Sequence, residues 1–283
     1  MSVVAGQGDA VRSMALLWRA QGAGGPGSAQ GRGPAPGPRQ ALTVDEIVAA
    51  AIEVADEAGM AGLSMRAVGA RLGRTAMALY TYVPSKAELV DLMYDRAHGE
   101  LPTSYDLAEG WRPAVTSWAR DLWAFYIRHP WTLTVSYARP VLGPDEQAVL
   151  EALVRILFEA GLSARVLRRV VGALFHFVRG AAAAVADSRR AADATGMSDE
   201  QWWSTRSALL QQVAPDFAER FPMLVRLGVE AAAEERGAYL EGGRAPHLED
   251  EATENFSVGL DVLLDGIERR RSAKREVASA RPA

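Results

Sequence analysis

The residues best suited to bind a charged partner lie between Leu63 and Lys86, in a stretch that contains no acidic residue. The lysine ammonium and the hydroxyls of Thr75, Tyr80 and Tyr82 can donate hydrogen bonds to phosphate oxygens. The stretch also carries three arginines: Arg66, Arg71 and Arg74. Local positive charge favours a polyanionic partner even when the whole chain is acidic, although a short basic stretch can also be a solvated face.

The same stretch predicts two short helices joined by a turn. Ser64 can cap the first helix, and Gly73 follows its last apolar residue, where a left-handed backbone favours glycine. Thr75 can cap the second helix, predicted over 76–83 and ended by Pro84. Two helices joined by a glycine turn are typical of the helix-turn-helix, whose second helix enters the DNA major groove.

Capped helices flank this pair. The capping box Thr43–Glu46 begins a helix that ends at Gly59, and the capping box Ser85–Glu88 begins another that runs to about Gly99. Together these elements predict a small helix-turn-helix domain over residues 41–99.

The rest of the chain predicts longer helices and no strand. Apolar residues with helical spacing begin at Trp111, and further helices are predicted over 144–160, 164–187, from Ser198, and over 250–271, with a loop over 187–196. The fold class is therefore all-α, with a small N-terminal domain, a larger helical domain over 100–271 and a charged tail over 272–283.

Residues 1–40 are predicted to be a flexible extension containing Gly, Pro and Arg. Within it, Val11–Trp18 can form a brief amphipathic turn, and residues 1–30 otherwise read as a disordered leader. Arg32–Arg39 is either part of that leader or an arm that reaches a minor groove through Arg32 and Arg39.

Composition narrows the function classes. The 283 residues carry a net charge of −4 and no cysteine, which excludes disulfides and thiolate sites. No apolar run approaches the roughly 20 residues that span a bilayer, and we expect a cytoplasmic protein without a membrane segment. The four histidines lack the spacing of metal ligands, and no nucleophile–base set or phosphate-binding loop is present. We therefore predict no metal, no cofactor and no enzymatic activity.

Residues 43–95 resemble the TetR family of transcriptional regulators. The resemblance rests on Leu63–Val68, the Leu72–Gly73 turn, Leu79–Val83 and Ser85–Leu89. Farther along, His129–Trp131 and Gly259–Ile267 resemble the C-terminal half of the tetracycline-repressor-like branch.

This resemblance implies a homodimer with two DNA-reading heads and a helical body that binds a ligand and dimerises. With the phosphate-binding residues and the arm included, the predicted DNA-binding residues are Met65, Arg66, Thr75, Ala76, Met77, Ala78, Tyr80, Thr81, Tyr82, Lys86, Arg32 and Arg39. Arg66 can pair with guanine, whereas Ala76, Met77 and Ala78 offer only apolar contact, so no operator sequence is predicted. Leu79 is expected to pack inside the head.

In the body, the family buries an inducer between helices. The predicted ligand-binding residues are Trp118, Tyr126, Trp131, Phe175, His176, Arg179 and Trp202. Aromatic-lined cavities hold flat apolar ligands. Alternatively, each of these aromatic residues packs in the core, and His176 is a core histidine whose hydrogen bonds are satisfied within the protein. The absence of a metal site gives no support to a tetracycline–magnesium ligand.

The predicted dimer interface contains Gly180, Ala184, Phe256, Leu260, Leu263 and Ile267. Two helices from each subunit would form a four-helix bundle, and two-fold symmetry predicts a pseudo-palindromic double-stranded DNA operator.

The sequence thus predicts a ligand-responsive transcriptional repressor, released from its operator by a small apolar or aromatic inducer. The alternative is a helical ligand- or protein-binding module whose helix-turn-helix no longer reads DNA.

Overall fold

The computed structural model describes residues 3–4, 6–19, 42–136, 138–240 and 248–279. In chain order its helices are α1 (Ala10–Leu17), α2 (Val44–Gly62), α3 (Met65–Arg71), α4 (Ala76–Tyr80), α5 (Lys86–His98), α6 (Trp111–Arg128), α7 (Pro144–Glu159), α8 (Ala164–Thr195), α9 (Asp199–Val213), α10 (Phe217–Arg220), α11 (Pro222–Leu240) and α12 (Leu248–Ser279). A 3-10 helix, Pro130–Thr134, follows α6. The predicted all-α fold class is confirmed.

Strand structure is confined, in these described residues, to β1 (Val3–Val4) and β2 (Val135–Ser136), which pair in parallel. The sequence predicted no strand. A two-residue pair carries no periodicity that a sequence pattern could reveal.

The helix starts agree with the caps expected from the sequence. The side chains of Thr43, Ser64, Thr75, Ser85 and Ser198 each accept a backbone N–H from the first turn of the helix that follows. Because these bonds satisfy amides that have no partner inside the helix, each start is fixed locally.

Several helix ends differ from expectation. Helix α8 continues to Thr195 through the predicted loop, because the alanine-rich segment 191–194 has high helix propensity. Helix α4 ends at Tyr80, before the expected Val83. At Gly59, where the first helix was predicted to end, α2 has a non-helical backbone with φ 63° and then continues to Gly62.

Part of the predicted flexible extension is folded. Asp9 caps α1, Leu17 is buried, and α1 packs against α5. The arm residues Arg32 and Arg39 lie outside the described residues.

The chain forms two compact units. The first contains the described residues up to Ala183 and those from Leu263 onward; the second is Ala184–Val262. In the first unit, α5 packs against α2 on one side and α7 on the other, so it joins the head (42–99) to the adjoining helices of the body. The second unit contains α9, α10 and α11, which expose many apolar side chains.

By length and composition alone, α8 could cross a membrane, with a mean hydropathy of 1.4 over its most apolar window. A core helix of a soluble protein meets the same criterion, so a single such helix is weak evidence for a membrane protein.

Candidate nucleic-acid interface and ligand cavity

The helix-turn-helix is held in a tight geometry by small residues in α3 and the turn. A Cβ atom added at Gly69 would lie 2.8 Å from the carbonyl oxygen of Arg74, so only glycine allows the turn to approach α3 this closely. Gly73 adopts φ 63°, a left-handed conformation that other residues rarely adopt. Thr75 Oγ1 then accepts the amide of Ala78 at 3.3 Å and starts α4.

Most of the predicted DNA-binding side chains lie on the outside of the head. Exposed residues are Arg66, Thr75, Met77, Tyr80, Thr81, Tyr82 and Lys86, whereas Ala76 and Ala78 are half-buried. Met77 is 75% exposed, which is unusual for a large apolar side chain and leaves its thioether available for contact. The surface therefore combines hydroxyl donors with an apolar patch.

Met65 corrects the sequence prediction. Its side chain is only 5% exposed, because it occupies the face of α3 that packs into the head beside the buried Val68. It cannot offer its side chain to DNA in this arrangement. Leu79 is fully buried, which confirms that it packs inside the head, and Val83 is fully buried as well.

Two of the basic side chains are engaged within the protein. Arg71 Nη1 lies 2.8 Å from Glu53 Oε2 in α2, and its other terminal nitrogen pairs with Glu57. Hydrogen bonding to Arg71 lowers the pKa of the Glu57 carboxyl. Lys86 Nζ donates to the carbonyl of Leu63 at 2.6 Å, which braces the junction between α2 and α3. The outward positive charge of this stretch therefore comes mainly from Arg66, Arg74 and the exposed Lys86.

A cavity of about 240 Å³ lies in the first unit. Its lining is Tyr94, His98, Tyr126, Pro140, Glu146, Gln147, Val149, Leu150 and Phe175. Cavities that bind small ligands usually combine apolar walls with a few polar groups that fix orientation, and this one has that composition.

Of the predicted ligand-binding residues, Tyr126 and Phe175 line the cavity. Trp118 is buried behind them and packs edge-on against Phe175, with ring centroids 4.9 Å apart. Arg179 lies over the Tyr126 ring, and its guanidinium donates to the carbonyl oxygens of Leu133 and Val135 at 2.5 and 2.9 Å. Trp118 and Arg179 therefore support the cavity from behind and do not line it.

Three other predicted ligand residues are not among those that line this cavity. Trp131 is buried, and its indole N–H donates to Asp56 Oδ1 at 2.8 Å. His176 is exposed, so it is neither in the cavity nor a core histidine. Trp202 belongs to the second unit, is 39% exposed, and packs edge-on against Trp203.

The cavity residues that the sequence did not single out come chiefly from α5 and the start of α7. Tyr94 and His98 are four positions apart, so they share one face of α5. Their type and spacing were visible, but nothing in the sequence indicated which face of α5 meets the cavity.

The cavity contains a neutral histidine. Burial lowers the pKa of His98 to about 4, and the Tyr94 carbonyl lies 2.7 Å from its Nδ1. Because a carbonyl can only accept, the Nδ1–H tautomer is required, which leaves Nε2 as an acceptor. Glu146 supplies a second acceptor, and burial raises the pKa of its carboxyl.

A row of rings connects the cavity to the head. The ring of Phe125 lies 4.7 Å from that of His98 and 5.4 Å from that of His129. His129 is 4% exposed and lies between two carboxylates, with Nδ1 2.8 Å from Asp56 Oδ1 and Nε2 3.2 Å from Glu100 Oε2. Asp56 belongs to α2, so this contact joins the end of α6 to the head.

The predicted dimer residues divide into two groups. Gly180 and Ala184 are exposed and Leu263 is half-buried, whereas Phe256, Leu260 and Ile267 are at most 6% exposed. The last three are buried in the single chain, and the assignment of all six residues to a dimer interface stays a prediction. Among the described side chains of α12, Val258 and Val262 are large apolar residues that are exposed, at 58% and 64%.

Among the residues with described side chains, no group of three or more His, Cys, Asp or Glu is placed to hold a metal ion.

Comparison with known proteins agrees with this arrangement. Residues 47–93 match the family model described as bacterial regulatory proteins, tetR family, and residues 106–271 match the one described as tetracyclin repressor-like, C-terminal domain. The HTH-type transcriptional repressor DrrR1 of Streptomyces coeruleorubidus is 35% identical over 264 residues, covering 93% of this chain and 87% of the relative.

Solved structures share the fold. A transcriptional regulator described as a TetR from Streptomyces coelicolor is 26% identical, with a TM-score of 0.57 over 81% of this chain and 99% of that chain. The TetR family protein ActR of the same organism, in complex with actinorhodin, is 23% identical, with a TM-score of 0.62 over 81% of this chain and 96% of that chain.

Proposed function

The chain belongs to the TetR family of ligand-responsive DNA-binding transcriptional repressors, and from this premise we propose that it works as a homodimer released from its operator by a flat aromatic ligand. The observation that carries the proposal is the presence, in one compact unit, of an outward-facing helix-turn-helix and an aromatic-lined cavity. The relatives of this chain are named regulators and repressors, which are not enzymes.

The exposed face of the head supports DNA contact by two kinds of side chain. The hydroxyls of Thr75, Tyr80 and Tyr82, with Lys86, can hold phosphates and set the position of the head. Arg66 is the side chain best suited to read a guanine edge. Because Met77 and its alanine neighbours offer only apolar surface, the remaining sequence preference comes from thymine methyl contacts and DNA shape.

The cavity supports an aromatic ligand with hydrogen-bond donors. Tyr94, Tyr126 and Phe175 provide flat apolar walls, and His98 Nε2 and Glu146 provide acceptors. The solved complex of ActR shows that ActR, which shares this fold, binds actinorhodin. A cavity of about 240 Å³ is slightly smaller than most drug-sized sites, so we expect it to widen when occupied.

Release from DNA follows from a shift in the row of rings. A ligand that displaces His98 acts on Phe125, and through it on His129 and the carboxylate of Asp56 in α2. Allosteric coupling of typically 1–3 kcal/mol requires only that the ligand prefers the arrangement in which the heads no longer fit the operator.

Dimerisation is supported by the exposed faces of α8 and α12. Gly180 and Ala184 lie four residues apart on the exposed face of α8, where small side chains allow close helix approach. On α12, the exposed Val258 and Val262 supply apolar surface. A two-fold dimer predicts half-sites separated by whole helical turns.

The test is binding to duplex DNA from the region upstream of the chain's own gene, measured by fluorescence anisotropy across a salt series. We expect a salt-sensitive, sequence-specific complex. Arg66→Ala should cost about 1–3 kcal/mol and relax specificity at one base pair, whereas Lys86→Ala should weaken binding to all sequences and lower the salt slope by about 1.

The matched control is Arg155→Ala, which removes a surface arginine of α7 that pairs with the exposed Glu151. It should bind DNA like the wild type, since exposed ion pairs contribute little. If the wild type forms no specific complex at concentrations where it is dimeric, the chain would instead be a binding module that no longer reads DNA.

A further inference from the structure

The N-terminal segment (residues 3–4 and 6–19, the latch) contacts both the body and the head, including α5, the last helix of the head. Its strand β1 pairs with β2 in the body, and its helix α1 packs against α5. At its end, Trp18 Nε1 donates to the carbonyl of Leu142 at 3.0 Å, and Arg19 forms an ion pair with Asp45 in α2. The latch therefore crosses the junction at which α5 joins the head to the body.

The latch supplies hydrogen bonds that buried carboxylates of α5 require. Asp91 and Glu88 are only 3% and 4% exposed. The amide of Gly6 donates to both oxygens of Asp91 at 3.0 and 3.2 Å, and the amide of Asp9 donates to Glu88 at 3.3 Å. A buried carboxylate without hydrogen-bond donors is costly in free energy, so the backbone amides of the latch stabilise these two carboxylates of α5.

The latch packs closely against α5, and its helix α1 does so through one face. A Cβ atom added at Gly8 would lie 2.5 Å from Glu88 Oε1, and Ser85 Oγ donates to the other oxygen of that carboxylate. On α1, Leu17 is 5% exposed and Val11 is 81% exposed. The helix thus docks through one face, and these two residues provide a matched pair for mutation.

Leu142 and α5 contact both the latch and the residues that line the cavity. Leu142 accepts the Trp18 indole through its carbonyl and donates its amide to Glu146 Oε2 at 2.7 Å, while Glu146 lines the cavity. Leu142 also has φ 63°, an uncommon conformation for a residue other than glycine. On the other side, α5 contributes Tyr94 to the cavity wall.

We infer that the latch fixes the head on the body, so that the two heads of a dimer meet two half-sites without first being ordered. The inference rests on the proposed function, because it concerns two-headed binding to an operator. Fixing a geometry before binding removes an ordering cost, and a fraction of undocked latch lowers the apparent affinity in proportion. A ligand that moves Leu142 or α5 loosens the latch, which gives the cavity a second route to the heads.

The test compares Leu17→Ala with Val11→Ala on two duplexes, one carrying both half-sites footprinted with the wild type and one carrying a single half-site. We expect Leu17→Ala to bind the two-half-site duplex about three- to tenfold more weakly and the single half-site unchanged. Val11→Ala should match the wild type on both. Trp18→Phe, which removes only the indole donor, should show a smaller loss with the same selectivity.

Hydrogen exchange at the amides of Gly6 and Asp9 reports whether the latch is released, since these amides donate to the carboxylates of Asp91 and Glu88 in α5. Faster exchange in Leu17→Ala with unchanged affinity for both duplexes would overturn the inference and make the latch a passive cover. Equal losses on both duplexes would overturn it as well, because they indicate damage inside the head. A wild type that binds neither duplex contradicts the proposed function itself.

Discussion

Asp95 of α5 is a buried carboxylate that lies against the first turn of a different helix, α7. It is 5% exposed, and its Oδ1 accepts the amide of Glu146 in the first turn of α7 at 2.9 Å. The N-cap residue of α7 is Gly143, which has no side chain to do this. Burial raises the pKa of Asp95 to about 6, and the charge of Asp145 adds to this, against the lowering effect of the Glu146 amide.

This raised pKa predicts a pH-dependent stability. The folded protein binds a proton at Asp95 that the unfolded chain releases near pH 4, so the stabilisation is complete below about pH 4 and is lost as the pH rises through about 6. Asp95→Asn keeps an acceptor for Glu146 and removes the titration. We expect the variant to be more stable than the wild type by about 1–2 kcal/mol at pH 8 and equal to it near pH 4.

Thermal unfolding of both proteins from pH 4 to pH 8 measures this difference. Because the two curves should diverge as the pH rises from about 4 to about 6 and stay parallel above that, a constant offset over the whole range would mean that Asp95 does not titrate in it.

At the residue scale, the sequence identified side chains by type and spacing but not by direction. It placed Met65 toward DNA and His176 toward a ligand, yet Met65 is buried in the head and His176 lies on the exposed face of α8. Spacing defines which residues share a helix face, whereas tertiary packing decides which face is covered. Leu79, an apolar residue in a helix with no charged side chain, was correctly expected to be buried.

Among the elements, the contact between α3 and the turn before α4 depends on Gly69. A Cβ atom there would lie 2.8 Å from the carbonyl of Arg74 and 3.3 Å from the amide nitrogen of Ala76. Backbone atoms cannot move aside as a flexible side chain does. Gly69→Ala should therefore push the turn away from α3 and tilt the reading helix.

We expect Gly69→Ala to weaken specific DNA binding at least tenfold without a change in oligomeric state, because the change lies inside the head. The control is Gly228→Ala in α11, where an added Cβ meets nothing within 4 Å. That variant should bind DNA normally and gain up to about 1 kcal/mol of stability from helix propensity. Anisotropy titration and thermal unfolding of the two variants test both statements, and normal binding by Gly69→Ala would show that the turn has room to adjust.

Local signals predicted the elements well where each element is determined by its own residues. The caps at Thr43 and Ser64 act within one turn, so a short sequence pattern contains all the information. The pairing of Val3–Val4 with Val135–Ser136 and the docking of α1 depend on residues far apart in sequence. Residues 1–30 were therefore predicted to be a disordered leader apart from the amphipathic turn Val11–Trp18, although distant partners hold residues 3–4 and 6–19.

At the scale of the whole molecule, the two faces of α12 serve different purposes. Phe256 and Leu260 are buried within the chain, whereas Val258 and Val262 lie two positions farther along, about 200° round the helix, and are exposed. An exposed valine pair on a long helix is apolar surface that a second copy of the chain would cover. The proposed dimer thus uses the valine face, and the phenylalanine–leucine face stabilises the protomer.

Val262→Asp should separate these roles, because a carboxylate on the valine face costs little in a monomer but would be buried without a partner in the dimer. We expect the variant to elute as a folded monomer, with unchanged helix content, and to lose two-half-site DNA binding. Val11→Asp is the matched control: it adds the same charge at an exposed valine in the first turn of α1, where a carboxylate is favourable. Light scattering coupled to size-exclusion chromatography measures the mass, and a dimeric Val262→Asp protein would place the interface on another surface.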